Sequence, residues 1–246
     1  MDSPLVQESE SFLFPQKRIR IVPMHIDRGI FFDVKEDVGE KVRTIYLWED
    51  LWIRKNVLVK TWLAGEICGR RPVFARNCRL QAIKKEEADL FFEESHLLGA
   101  ARAKYYYGLY CRGQLAAAAA FSNMRMMRRG ERLCRSAEWV RYASLPETRM
   151  VGGMGKLLSA FVMEHQPDDV MSYANKDWSE GAAYIKLGFE AAGETPPQAY
   201  WLDPQTMQRY PLKRHPIPQL HWKRVHGLGS LKFMKKYENN STIFVE

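Results

Sequence analysis

A run of glycines near the middle of the chain has the composition of a phosphate-binding turn. It follows a predicted strand, opens a predicted helix, and consists of Val151, Gly152, Gly153, Met154, Gly155 and Lys156. Glycines allow a ligand to approach the backbone closely, and the first amides of a helix lack partners inside the helix. Because the positive end of the helix dipole lies behind them, those amides can bind a pyrophosphate. The alternative is a turn without a ligand. A P-loop is excluded, because the spacing GxxxxGK[ST] is not present.

A second group of polar residues follows the next predicted strand, Asp169–Ala174. Asn175 comes directly after that strand. Ser179 is predicted to cap a helix that contains Tyr184 and ends at Gly188, since serine is a favoured first cap and glycine a favoured stop. The order strand, glycine-led helix, strand, helix predicts a β-α-β crossover on a mixed sheet.

Taken together, these two motifs resemble the GCN5-related N-acetyltransferase (GNAT) superfamily. The family pattern is an asparagine after a strand and then a helix closing in Tyr-x-x-x-Gly-Phe, which Asn175 and Tyr184 to Phe189 match. The resemblance covers roughly residues 91–202. It implies an α/β (α+β) fold, with a GNAT-like mixed twisted sheet, flanking helices and two parallel strands that splay apart. One departure is Met150, which stands where the family commonly has Arg or Gln when Gly153 and Gly155 are aligned. An alignment that starts from Arg149 matches Gly152 but places Met154 at the last position, where the family has Gly or Ala.

The chemistry that this resemblance implies is transfer of an acyl group from acetyl-CoA, or another acyl-CoA, to an amine. The residues expected to bind the coenzyme are Val151, Gly152, Gly153, Met154, Gly155, Lys156, Asn175 and Ser179. Tyr184 lies where the family often has the acid that protonates the leaving thiolate, and a phenol with a pKa near 10 suits that role. The alternative for Tyr184 is a tyrosine at the edge of the core.

Two residues are candidates for the base that takes a proton from the amine. Glu138 lies in the predicted strand Ala137–Ser144 and could act directly or through water. Its alternative is a structural carboxylate paired with Arg141 or with other nearby arginines. His96, at the end of a predicted helix, is the competing base, and a structural role is its alternative. The histidines and cysteines lack the spacing of metal ligands, so no metal site is predicted.

A closer resemblance extends over more of the chain. It is to a group of phage and mobile-element proteins in which a Vsr-like or homing-endonuclease-like segment precedes a GNAT-like domain. The stretches that carry it are Leu47–Trp52, Phe74–Cys78, the segment around His96, Glu138–Arg141, Val151–Leu158 and Ser172–Ser179. The carboxylates of the N-terminal segment are Asp27, Asp33, Glu36, Glu49 and Asp50. They form no Asp and (Asp/Glu)-x-Lys pair of a metal nuclease, so we interpret the segment as a remnant.

Positive charge is concentrated in two places. The net charge is +8, and the last 56 residues contain 8 basic and 4 acidic side chains. The second place is the arginine cluster Arg125, Arg128, Arg129, Arg132, Arg135 and Arg141. Such clusters attract phosphate, so DNA or RNA is a predicted partner, and a solvated surface is the alternative.

Three functions are compatible with these observations. The first is an acyl-CoA-dependent N-acyltransferase with an amine acceptor, for which a nucleic acid or a nucleic-acid-associated protein is one candidate. The second is a non-catalytic, GNAT-like, nucleic-acid-associated module of phage or mobile-element origin. The third is a structural or interaction protein with an empty cleft. The sequence favours the first, because the glycine turn and the tyrosine helix occur together in the expected order.

The elements that must position these residues are predicted from periodicity. Ala116–Ala120 is predicted as a strand in a hairpin with Tyr105–Tyr110, and Lys85–Ser95 as an amphipathic helix. Further upstream, Thr44–Trp48 is predicted as a strand and Glu49–Leu63 as a helix.

The 246 residues are divided into an N-terminal extension (1–85), a GNAT-like domain (86–210) and an irregular basic C-terminal tail (211–246). No apolar stretch approaches the roughly 18 residues of a membrane span, and the polar, acidic first ten residues predict no signal peptide. The cysteines form no CxxC pair, so a reduced, cytoplasmic protein is predicted.

Overall fold

The computed structural model describes residues 6–8, 11–26, 42–212 and 217–237. Asp27, Asp33 and Glu36 of the predicted nuclease remnant lie outside the described residues, as do tail residues 213–216 and 238–246.

The strands and helices are numbered in chain order. The strands are β1 (Val6–Glu8), β2 (Ser11–Phe14), β3 (Ile19–Met24), β4 (Arg43–Trp48), β5 (Arg71–Phe74), β6 (Arg79–Ala82), β7 (Tyr105–Cys111), β8 (Gln114–Phe121), β9 (Arg125–Arg129), β10 (Arg132–Ser144), β11 (Thr148–Val151), β12 (Asp169–Asn175), β13 (Glu190–Thr195), β14 (Ala199–Asp203), β15 (Gln208–Pro211), β16 (Lys223–His226) and β17 (Ser230–Lys236). The helices are α1 (Glu49–Arg54), α2 (Asn56–Cys68), α3 (Lys85–Ser95), α4 (Gly153–His165) and α5 (Ala182–Lys186).

The chain forms two compact units that are not consecutive in sequence. The first unit contains Met1–Ile67, Ala174–Glu180 and Glu194–Leu231, and the second contains Cys68–Tyr173, Gly181–Gly193 and Lys232–Glu246. This grouping interleaves the chain, whereas the division predicted from the sequence, at residues 85 and 210, is sequential.

The second unit is built on a mixed sheet with the strand order β13-β17-β12-β10-β8-β7-β6, and β9 pairs with β10. Neighbours from β6 to β10 along this order are antiparallel, whereas β10 and β12 run parallel. A mixed sheet with flanking helices is the architecture predicted from the sequence, and the structure confirms it.

The alanine run lies in the centre of this sheet, as predicted, with Ala116–Ala120 buried in β8. On one face of β8, Ala118 and Ala120 pack in a cluster with Phe91 and Phe92 of α3. On the other face, the Phe121 ring stacks on Phe161 of α4 at 4.1 Å between centroids. The small side chains leave room for α3 to pack closely against the sheet, which explains alanine in a strand despite its helix propensity.

The first unit contains two smaller sheets, β1-β2-β3-β4 and β15-β14-β16. Its core includes the buried isoleucines of β3 and β4, Ile19, Ile21 and Ile45, with Trp62 of α2 packed against them. The helix predicted over Glu49–Leu63 is present as two helices, α1 and α2.

The C-terminal tail is not irregular over its described part, so that prediction is wrong. Lys223–His226 and Ser230–Lys236 are strands, and β17 lies between β13 and β12 in the main sheet. The reason is apolar burial: Phe233 is only 3% exposed and stacks on Tyr184 within the second unit.

Cys78 and Cys111 form a disulfide, with Cα atoms 4.4 Å apart, so the predicted reduced state is wrong for this pair. They lie one position beyond the last β6–β7 pair, Arg79↔Tyr110, where the side chains of adjacent strands meet. Cys68 and Cys134 are free thiols. No helix in the described part of the chain is long and apolar enough to cross a membrane.

Candidate functional site

Two parallel strands stop pairing in the middle of the main sheet. The β10–β12 register runs from Ser136↔Asp169 to Trp139↔Ser172, and both strands continue beyond the last pair. From there β10 stays with β8, and its register shifts between Trp139 and Arg141. We call the Trp139–Ser172 pair the branch point, because the two strands no longer pair beyond it.

The Tyr184 phenol of α5 lies at the branch point. Ser172 Oγ lies 2.8 Å from Tyr184 Oη and 2.9 Å from the carbonyl oxygen of Trp139. A serine hydroxyl has one hydrogen and a carbonyl only accepts, so the phenol donates to Ser172 Oγ when Ser172 donates to Trp139. Tyr184, the predicted acid, is therefore connected directly to β12 through Ser172 and, through the same serine, to Trp139 of β10.

The ring of Tyr184 is fixed by aromatic neighbours of the second unit. It stacks on Phe233 at 5.2 Å and meets Trp139 and Phe189 edge to face at 6.1 and 5.5 Å between centroids. Burial raises the pKa of Tyr184 above its ordinary value of 10, although the charge of Arg141 opposes this, as does a hydrogen bond from Ser172 when the serine is the donor. The phenol therefore stays protonated in neutral solution and can serve as a donor.

The glycine turn forms the start of α4, as predicted. Gly152 is the residue before the helix and has φ of 76°, a left-handed conformation that glycine adopts without strain. The first intrahelical bond is donated by the Lys156 amide to the Gly152 carbonyl at 3.0 Å. Within the described part of the chain, no hydrogen bond engages the amides of Gly153, Met154 and Gly155. These amides are available to an anion.

Met150 packs beneath this turn. A Cβ added at Gly153 would overlap the Met150 side chain and lie 3.1 Å from Tyr142 Oη. At Gly155 an added Cβ would make only an ordinary contact of 3.5 Å with Leu187. Met150 is buried, so an apolar side chain packs at the position where the GNAT pattern described above has Arg or Gln. Gly153 is required by the fold itself, because any larger residue would overlap Met150.

Lys156 is the predicted coenzyme-binding residue least suited to that role. Its ammonium donates to the carbonyls of Ala75 and Cys78 at 3.0 and 2.7 Å. Its backbone amide belongs to the helix, as described above. The amides of the turn that are left for a ligand are therefore those of Gly153, Met154 and Gly155. Val151 is the last residue of β11 and pairs with Phe74 of β5.

Glu138 approaches the branch point from the other face of β10. It precedes Trp139, and side chains alternate along a strand, so Glu138 and Trp139 point to opposite faces of the sheet. The half-buried Glu138 carboxylate makes no hydrogen bond or ion pair within the described part of the chain. Arg141, its predicted partner, donates instead to Gly99 and Val140 carbonyls at 3.0 Å.

Tyr173 of β12 lies near Glu138. Burial and the negative charge of Glu138 raise the Tyr173 pKa, while Arg129 lowers it. Tyr173 is 36% exposed, so this face of the sheet is accessible to solvent beside Glu138. A carboxylate without a fixed partner at an accessible position can accept a proton from an incoming amine.

His96 directly follows α3, and its side chain takes part in the turn that comes after the helix. Its Nδ1 accepts the Leu98 amide at 3.0 Å, and its ring packs edge to face on Phe92. The same turn is tied to β10, because Arg141 donates to the Gly99 carbonyl. His96 is therefore positioned near the end of α3 by local structure, which favours its structural alternative.

Asn175 and Ser179 are grouped with the first unit, where they form one turn. Asn175 Oδ1 accepts the Asp177 amide at 2.7 Å, and its carbonyl accepts the Ser179 amide at 2.9 Å. The prediction that Ser179 caps the next helix is wrong, because Gly181 holds that position with φ of 74°. A Cβ at Gly181 would overlap the Phe233 ring, so glycine is required there.

Sequence reasoning missed Ser172 and Tyr142. Ser172 is 1% exposed, and its role follows from the register that makes it the partner of Trp139. Tyr142 lies near Gly153 and meets Trp139 edge to face, and burial raises its pKa. Neither residue has a sequence signal beyond its place in a strand.

No protein-family model matches the chain, and no curated protein matches it in sequence. Solved structures that are similar include a GNAT family acetyltransferase from Elizabethkingia anophelis with acetyl-CoA bound, at 10% identity and a TM-score of 0.42, covering 65% of this chain and 99% of that one. The ribosomal-protein-S18-alanine N-acetyltransferase from Escherichia coli gives 12% identity, a TM-score of 0.40 and coverages of 68% and 99%. Eis1 from Mycobacterium abscessus is similar at 16% identity and a TM-score of 0.40, and the match spans 51% of this chain but only 33% of Eis1.

Proposed function

We propose that the protein is an acyl-CoA-dependent N-acyltransferase that transfers an acyl group, such as acetyl, to an amine. The observation that carries this proposal is the branch point. Two parallel strands part immediately after Trp139 and Ser172, and a hydrogen-bonded phenol stands at that position. This arrangement offers a slot between strands, a proton donor inside it and, on the opposite face of β10, a carboxylate.

The coenzyme fits the first turn of α4. Its pyrophosphate would be held by the amides of Gly153, Met154 and Gly155, which have the positive end of the helix dipole behind them. Tyr142 Oη lies beside the Gly153 backbone and Trp139 contacts both Tyr142 and Tyr184, so these groups form a continuous line from the turn to the branch point. A thioester arm lying along that line would place its sulfur near Tyr184.

Tyr184 is proposed as the donor to the departing sulfur. Because burial raises its pKa above 10 while an ordinary thiol has a pKa near 8.5, the phenol keeps its proton in the presence of the thiolate. It therefore stabilises the departing thiolate by donating a hydrogen bond to the sulfur as negative charge develops there, and the thiolate takes its proton from solvent. Ser172 and the aromatic neighbours hold the hydroxyl in place.

Glu138 is proposed as the base. It lies on the opposite face of β10 from Tyr184, so an amine could reach the carbonyl carbon from one side while the thiolate leaves on the other. In the described part of the chain its carboxylate forms no ion pair. His96 is the weaker candidate, because Nδ1 is occupied by the Leu98 amide.

Isothermal titration with CoA and acetyl-CoA tests the proposal. We expect saturable binding of one equivalent, because the α4 amides and the branch point belong to one compact unit. The coenzyme site would be rejected if neither CoA nor acetyl-CoA gave a binding heat at millimolar concentration.

The second candidate function is a GNAT-like, nucleic-acid-associated module without catalysis, of phage or mobile-element origin. The arginine cluster favours it, whereas the hydrogen-bonded Tyr184 favours chemistry. The two are distinguished by turnover: a protein that binds CoA but releases no thiol with any amine or nucleic-acid acceptor fits the second. The acceptor class and the origin in a Vsr-like or homing-endonuclease-like context stay predictions, as does the cytoplasmic location.

A further inference from the structure

A two-stranded antiparallel ribbon extends from the main sheet. β9 pairs with the first part of β10 from Arg125↔Ser136 to Arg129↔Arg132. The pairing of β10 with β12 begins only at Ser136, so residues 132–135 pair with β9 alone among the described strands. We call Arg125–Ser136 the arginine ribbon, since it contains Arg125, Arg128, Arg129, Arg132 and Arg135 against the single acidic residue Glu131.

Both faces of the arginine ribbon are basic. Side chains alternate along each strand, and directly paired residues share a face. One face therefore carries Arg125, Arg129 and Arg132, and the opposite face carries Arg128 and Arg135. A ligand that surrounds the ribbon on both sides would meet positive charge throughout.

Only part of this charge is neutralised inside the protein. Arg129 forms an ion pair with the buried Asp169 at 3.1 Å, and Arg135 donates to the His165 carbonyl at the end of α4. Arg125 and Arg128 are exposed and have no partner within the described part of the chain. Arg132 is also exposed.

Stability of the fold explains only part of this composition, because the ion pair with Asp169 accounts for Arg129 alone. Arg132 stands directly opposite Arg129, and a second positive charge in that position does not favour strand pairing. Between the arginines, Met126 and Leu133 are 52% and 38% exposed, which a surface needed only for solubility does not require. A polyanion that covers the ribbon would offset the concentrated positive charge.

We propose that the arginine ribbon binds double-stranded DNA by entering its major groove. A two-stranded ribbon fits the B-form major groove, which is about 12 Å wide. The deep, narrow major groove of duplex RNA does not admit one. Arginines on both faces reach the phosphates that border the groove, so the affinity is expected to depend on salt and little on sequence. This inference does not rest on the proposed acyltransferase activity.

Fluorescence anisotropy with a labelled 20-base-pair DNA, between 50 and 200 mM salt, tests the proposal. Each phosphate contact contributes about 0.9 to the slope of log affinity against log salt. We expect the triple variant R125Q/R128Q/R132Q to bind more weakly at 50 mM salt and to lose about 2 to 3 units of that slope. The matched control R79Q/R102Q/R112Q removes three exposed arginines of the same unit outside the ribbon and should retain the wild-type slope.

Three results would overturn the proposal. One is wild-type affinity and slope in the ribbon variant, and another is an equal loss in the control variant, which would indicate a response to net charge alone. The third is binding of duplex RNA or single-stranded DNA as tight as that of duplex DNA, which would exclude groove entry. Circular dichroism and the melting temperature of the ribbon variant, compared with those of the wild type, show whether its fold is intact.

Discussion

The phenol oxygen of Tyr184 lies 2.8 Å from Ser172 Oγ, and Ser172 bonds the Trp139 carbonyl at the last pair of two parallel strands. The geometry of the proposed donor therefore depends on where β10 and β12 part. This contact connects the fold of the sheet to the proposed chemistry, and it can be tested by stability as well as by activity.

Ser172→Ala should lower the free energy of unfolding by about 1–3 kcal/mol, because it leaves a buried carbonyl and a buried phenol without their partner. Tyr184→Phe should cost less, about 0.5–1.5 kcal/mol, since Ser172 keeps its bond to Trp139. Urea denaturation of both single variants and the double variant measures the coupling. Because the two groups contact each other, the double variant should cost less than the sum. Strict additivity would show that the hydroxyls do not interact.

Met154→Pro should weaken CoA binding roughly 10- to 100-fold, the cost of one hydrogen bond to a charged group. Proline is tolerated in the first turn of a helix, where its missing N–H has no intrahelical partner. The matched control is Met154→Ala, which keeps the amide and should bind CoA normally. Titration calorimetry compares them. Equal affinity of the two variants, with both folded by circular dichroism, would exclude the α4 amides as the phosphate site.

The stability of the protein should fall above pH 10. Burial raises the pKa values of Tyr142 and Tyr184, and that of Tyr237 to about 12, whereas the unfolded chain has the ordinary value near 10. Below pH 10 both states hold the proton and the phenols add no pH dependence. Above it the unfolded state releases protons first, so the unfolding free energy falls, by at most about 1.4 kcal/mol per pH unit for each of these phenols. Denaturation at pH 9, 10 and 11 checks this, with Tyr142→Phe expected to reduce the slope.

Glu138→Gln should lower kcat at neutral pH and move the remaining activity to higher pH, where solution deprotonates the amine. His96→Gln should leave the pH profile unchanged if the histidine only holds its turn. Steady-state profiles of the two variants at saturating acyl-CoA separate the candidates. The assignment of the base would be reversed if His96→Gln shifted the profile and Glu138→Gln did not.

Much of the fold could be predicted from residue patterns. The alanine strand was indicated by the aromatic strand and turn before it, and the start of α4 by its glycines. The Gly181 cap was missed, because it depends on the Phe233 ring, which comes from β17 more than 40 residues later in the chain. The Cys78–Cys111 disulfide was missed for a similar reason, since it depends on the register of β6 with β7 and not on the spacing of the cysteines.

The candidate site was predictable only in part. Tyr184, Glu138 and the glycine turn carry recognisable residue types at recognisable positions. Ser172 contacts Tyr184 because the pairing of β10 with β12 ends at Trp139 and Ser172. Tyr142 lies on the same face as Trp139 because the register of β10 shifts between Trp139 and Arg141. No local sequence pattern indicates either feature. Met150 departs from the pattern of the resembling family, and the structure accounts for it by packing beneath Gly153.

The most direct test of the central claim is the rate of thiol release from acetyl-CoA in the presence of amine acceptors, measured for the wild type and Tyr184→Phe. Phenylalanine keeps the packing on Phe233, Trp139 and Phe189 and removes only the hydroxyl. The account predicts an acceptor-dependent rate in the wild type and a kcat about 10²–10⁴-fold lower in the variant, with CoA affinity little changed. Equal rates in the two proteins, or acceptor-independent release in the wild type, would contradict it.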